Sequence, residues 1–100
     1  MVSYTLDENQ LWHRVQKALP LNDHVILLEF DKSDYRIIDM KIFFSFPVFQ
    51  TIATNRELFK QVFVSGRTIE WPDGATLDPD VLYHESIPLV QCIKPELIGA

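Results

Sequence analysis

Leu58-Phe59-Lys60-Gln61-Val62-Phe63-Val64-Ser65-Gly66-Arg67-Thr68-Ile69-Glu70-Trp71-Pro72-Asp73-Gly74-Ala75-Thr76-Leu77-Asp78-Pro79-Asp80-Val81-Leu82-Tyr83 is the stretch that decides the fold. Val62-Phe63-Val64 and Thr68-Ile69-Glu70-Trp71 have the β-branched and aromatic content of strands. Between them, Ser65-Gly66-Arg67 supplies a turn in which Gly66 can take a positive φ, so the segment predicts a hairpin. Asp73-Gly74 predicts a second turn. Asp78 before Pro79 is a helix-start signature, because the aspartate accepts orphan backbone N–H donors and proline is already set to helical φ at the first position. No nucleophile, metal box or phosphate loop is embedded in the stretch, so it carries folding instructions and no reaction.

Working outward, Val25-Ile26-Leu27-Leu28-Glu29-Phe30 predicts a strand with Ile26, Leu28 and Phe30 on one face by the two-residue period. Asp31-Lys32-Ser33-Asp34 is a short polar turn, and Tyr35-Arg36-Ile37-Ile38-Asp39-Met40 returns as the antiparallel partner. This hairpin is expected at the heart of a sheet. Leu11 to Leu19 admits either a helix, on the spacing of Leu11, Val15, Ala18 and Leu19, or a strand, and Pro20 ends the element in both cases. Ile42 to Phe49 holds four phenylalanines with Pro47 among them and predicts an irregular apolar segment packed on the sheet. Thr54 or Asn55 can cap a short helix whose buried stripe is Leu58, Phe59 and Val62. Pro88 and Pro95 punctuate Ile87 to Pro95, which reads as an extended tail able to form an edge strand or a dimer contact. The fold class expected is α+β, an antiparallel sheet built from hairpins and packed with short helices.

With 100 residues, 47% of them hydrophobic, and seven Phe, two Trp and three Tyr, the chain can bury a core as one domain without disulfide or metal staples. The single cysteine, Cys92, allows no intrachain disulfide and fits a reducing cytoplasm. A formal net charge of −5 and scattered basic residues argue against direct nucleic-acid binding. No apolar run reaches the roughly 20 residues needed to span a bilayer, so no membrane role is expected.

These residues together resemble the bacterial family known as domain of unknown function 2442. The resemblance starts near Val15 and runs through Leu19-Pro20, the Val25–Phe30 strand, Ile38-Asp39 and Pro47-Val48-Phe49. It is densest from Glu57-Leu58-Phe59 to Tyr83, where a Thr-Ile-x-Trp strand precedes an Asp-Gly turn and an Asp-Pro-x-x-Leu-Tyr helix start. It implies one domain over residues 1–100 with a family-like core of about 15–89, and it favours a strand at Val15. It implies no reaction. Some relatives carry the domain joined to a helix-turn-helix, for which this chain has no room. Others are short proteins suspected of belonging to toxin–antitoxin-like two-gene units.

The chemistry-bearing residues fit no catalytic pattern. His13, His24, His84 and Cys92 lack metal-ligand spacing, and neither Ser65 nor Cys92 has a neighbouring base and orienting group. No metal, cofactor or enzymatic activity is therefore expected. Asp73, Asp78 and Asp80 cluster, but Asp73 has a turn role and Asp78 a cap role. Of the cluster only Asp80 then lacks a structural role; the candidate binding residues are Trp71, Asp73, Asp80 and Tyr83, with Trp71 three times more readily read as core than as an aromatic platform. The function expected is a non-enzymatic interaction or regulatory module with a protein partner, or a homodimer formed through a sheet edge or the proline-flanked tail. The alternatives are an antitoxin-like or transcription-associated component and a small-ligand-binding domain.

Overall fold

A computed structural model of the chain describes residues 13–92. Strands β1 (Val15–Pro20), β2 (Val25–Phe30), β3 (Asp34–Asp39) and β6 (Ile87–Pro88) form an antiparallel sheet in the order β1-β2-β3-β6. Strands β4 (Phe63–Ser65) and β5 (Thr68–Glu70) form a separate hairpin. Between β3 and β4 the chain runs through tight turns at Met40–Phe43 and Pro47–Phe49, then helices α1 (Gln50–Thr54) and α2 (Arg56–Phe59). Helix α3 (Pro79–Glu85) precedes β6, and α4 (Leu89–Cys92) follows it. The α+β class and the central β2-β3 hairpin are as the sequence predicts.

Residues 15–20 are a strand, which resolves the choice between helix and strand over the described part of that segment; Leu11 and Trp12 lie outside the described residues. Within the described part of the tail, Ile87–Pro88 forms the edge strand that the sequence allows, pairing with Arg36 and Ile37, but Leu89 then starts a helical turn in place of a continued extended tail. Residues 93–100 and the side chain of Cys92 lie outside the described residues.

The two-residue period divides the main sheet into two faces. One carries Val15, Ile26, Leu28, Phe30 and Ile38, all buried. Onto it pack Met40, Phe43, Phe49, Ile52, Phe59, Ile69, Trp71, Ala75 and Leu82, which complete the core. Helix α3 sits on this side with Leu82 inward, started by Asp78, whose Oδ1 accepts the Asp80 N–H at 2.8 Å. Asn55 caps α2 in the same way, accepting from the Leu58 N–H at 3.0 Å. The β4-β5 turn places Gly66 at φ 62°, the left-handed value its sequence anticipates.

The β1-β2 and β2-β3 connections both reverse through consecutive left-handed residues, Asp23 (φ 63°) and His24 (φ 62°), then Lys32 (φ 66°) and Ser33 (φ 58°). Positive φ at two successive residues gives a turn whose twist matches that of paired strands, so these short reversals keep β1, β2 and β3 in register without a glycine.

Candidate functional site

Two surfaces hold chemistry or apolar area beyond what the core needs. The first is a cleft of about 210 Å³ lined by His13, Arg14, Phe30, Asp31, Lys32, Asp34 and Tyr83. Helix α3 presents Tyr83 beside the end of β2, where the ring stacks on the His13 imidazole at 3.8 Å between centroids with planes 5° apart. Phe30 meets the Tyr83 ring edge-on at 5.2 Å. The Arg36 guanidinium lies 4.0 Å from the same ring's centroid, a cation–π contact, and donates from Nε to Ser86 Oγ at 2.8 Å and from Nη2 to Ser86 O at 3.1 Å.

Charge in the cleft is mostly neutralised in pairs. Arg14 Nε lies 3.4 Å from Asp31 Oδ2 and Arg36 Nη1 lies 3.7 Å from Asp34 Oδ2. His13 Nε2 and Asp80 Oδ1 are 3.9 Å apart, too far for a hydrogen bond. The cleft is smaller than the roughly 300–1,000 Å³ typical of ligand pockets. No serine, threonine or cysteine lines it. Among the described residues, no group of three or more His, Cys, Asp or Glu side chains could hold a metal ion.

The four candidates from sequence separate in space. Asp80 and Tyr83 come together on α3, both beside His13. Trp71 is 0% exposed and has no face open to a ligand; its Nε1 donates to Phe59 O at 3.0 Å, and Phe49 and Phe59 pack on its ring. Asp73 is exposed in the turn, its Oδ1 accepting the Ala75 N–H at 3.1 Å. Sequence reasoning did not associate His13, Phe30 or Arg36 with Tyr83, and no local pattern links residues so distant along the chain.

The second surface is the other face of the main sheet. Its register places Leu19 beside Leu27, Leu27 beside Ile37 and Ile37 beside Ile87, an unbroken apolar row across all four strands. Leu19 is 54% and Ile87 48% exposed. The next row is Lys17, Glu29 and Tyr35, with Lys17 Nζ 3.9 Å from Glu29 Oε1. That Glu29 oxygen is buried and has no hydrogen-bond partner. A groove of about 250 Å³ runs between the rows, lined by Lys17, Leu19, Leu27, Glu29 and Tyr35. A signal for this surface was present in sequence: Val25 and Leu27 alternate with Ile26 and Leu28, so β2 is apolar on both faces. A strand of that kind, in a sheet whose core lies on one side, presents apolar side chains on the other side as well.

Among the described residues no helix is long and apolar enough to cross a membrane. No curated protein and no solved structure matches the chain. The model of the family described as protein of unknown function (DUF2442) matches residues 15–88, from the first residue of β1 to the last of β6. On that match, which takes in the sheet, the hairpin and α3, the chain belongs to the DUF2442 family.

Proposed function

We propose that this protein is a non-enzymatic protein-interaction module of the cytoplasm, and that its working surface is the outer face of the main sheet. The observation that carries this reading is the row Leu19, Leu27, Ile37 and Ile87, four apolar side chains contiguous across a sheet whose other face already holds the core. Contiguous exposed apolar area marks association sites, whereas singly scattered apolar residues need no such explanation. The paired charges of the Tyr83 cleft, its small volume and the lack of a serine, threonine or cysteine in its lining favour binding over catalysis. In an antitoxin-like role, the same face would hold the partner protein.

Site-specific photo-crosslinking in host cells tests the reading. A photoreactive amino acid at position 27 or 37 should yield a discrete crosslinked protein species, and one at the exposed Lys60, outside the sheet, should not. Crosslinking that is no stronger from positions 27 and 37 than from position 60 would remove the outer face as the working surface.

A further inference from the structure

We infer that the occupant of this face is a second copy of the chain, packed face to face about a two-fold axis parallel to the strands; the inference rests on the reading of the sheet face just given. In a symmetric pair each apolar element must find its complement on the same surface, and the strand order β1-β2-β3-β6 provides one. A two-fold running along the strands between β2 and β3 lays β1 over the partner's β6 and β2 over the partner's β3. Leu19 then faces Ile87 across the interface and Leu27 faces Ile37, so the row meets itself without a polar residue interposed.

The neighbouring row favours this axis over its alternative. Under the same operation Glu29 comes opposite Tyr35, which is 44% exposed and carries a hydroxyl donor. The Glu29 side chain, 16% exposed, thereby faces a ring that carries a hydroxyl donor, and each protomer presents the same pair to the other. A two-fold running across the strands would instead set each residue of the row against itself and press Glu29 against Val25, leaving the carboxylate on apolar area.

The size of the face sets the strength. Strands of six residues spaced about 4.8 Å apart give a surface of roughly 20 Å by 20 Å, shortened at the two-residue β6. That is about 400 Å², roughly half of the 800 Å² per partner of stable complexes, so the pair forms reversibly, with dissociation on the order of tens of micromolar. Aligned packing of two such sheets, with strands within about 30° of each other, is the geometry of a β-sandwich, and the covered row becomes its inner layer.

Sedimentation velocity on the full chain, with a pair of charge substitutions, tests the assignment. The unmodified protein should show concentration-dependent dimerisation. Leu27→Lys and Ile37→Glu should each weaken it by about tenfold or more. Mixing the two variants in equal amounts should restore dimer, because the substituted positions face one another across the axis. Recovery on mixing also shows that both variants fold. A protein monomeric up to high micromolar concentration, dimers that persist in both single variants, or no recovery on mixing would each overturn the inference. A monomer that still crosslinks from position 27 to a different protein would leave the interaction reading standing and remove only the self-pairing.

Discussion

Trp71 shows how a residue chosen for chemistry becomes architecture. Its ring is wholly enclosed, its Nε1 donates to Phe59 O, its backbone N–H donates to Ala75 O at 2.9 Å, and its carbonyl accepts from the Gly74 N–H at 2.8 Å. Each polar atom of the residue thus closes a loop of the fold, and truncating a buried tryptophan typically costs about 3–5 kcal/mol. Lys41 is the opposite kind of residue, partly exposed and held by charge. Its Nζ lies 3.0 Å from Asp39 Oδ1 and 3.2 Å from Asp23 Oδ2, and also donates to Asp23 O, so it ties the β1-β2 turn to the end of β3. The Asp39 hydrogen bond raises the Lys41 pKa above its ordinary 10.5; desolvation opposes the rise, and the Asp23 hydrogen bond and the charges of both aspartates add to it. Because the folded value is raised, the stabilisation is complete below the ordinary value and is lost as pH rises through the folded one. The stability difference between the natural protein and Lys41→Gln, read from urea midpoints, should therefore stay constant to weakly alkaline pH and shrink above about 10.5. A difference that does not change with alkaline pH would show that the ammonium contributes nothing.

At the scale of elements, the connections of the main sheet store conformational strain. Lys32 and Ser33 both occupy left-handed backbone, and Ser33 is exposed, so little packing holds it there. A non-glycine residue in that region costs roughly 1–2 kcal/mol, and Gly66 shows the cheaper solution in the β4-β5 turn. Ser33→Gly should raise stability by about 0.5–1 kcal/mol after allowing for the extra entropy of glycine in the unfolded chain, seen as a higher urea midpoint at unchanged slope. An unchanged or lower midpoint would mean that the hydroxyl earns its place. The strands, the Asn55 and Asp78 caps and the Gly66 turn were legible because each depends on residues within a few positions of one another. The left-handed pairs were not, because Asp23-His24 and Lys32-Ser33 lack the glycine that advertises such turns, and the strand pairing imposes the conformation. The Tyr83 stack on His13 was hidden for a related reason, since it exists only once α3 is laid across the end of β2. The apolar outer face was half visible: the alternation of β2 assigned Ile26, Leu28 and Phe30 to one face, while the residues between them are apolar enough to look like core as well.

At the scale of the whole molecule, net charge opposes what the sheet face favours. Each chain carries a formal charge of −5, so two copies repel at long range while their apolar rows attract at contact. Salt shortens the repulsion, with a Debye length of about 30 Å at 0.01 M falling to about 8 Å at 0.15 M. Self-association should therefore tighten as sodium chloride is raised over this range, and sedimentation at the two ionic strengths reads the change directly. Weakening with salt would point instead to a contact governed by opposite charges. The margins of the sheet decide what kind of assembly can follow. Strand β1 has an irregular register between Val15 and Lys17, and its first N–H is already donated to Arg67 O at 2.9 Å. At the opposite margin, β6 is two residues long, ends in proline and gives way to α4. Neither margin is a long straight template for adding another strand, so the sheet resists growth along its hydrogen-bonding direction. Pairing through the face also consumes the face in a single step. Assembly by this route stops at two, and a concentrated solution of the protein should remain free of fibres.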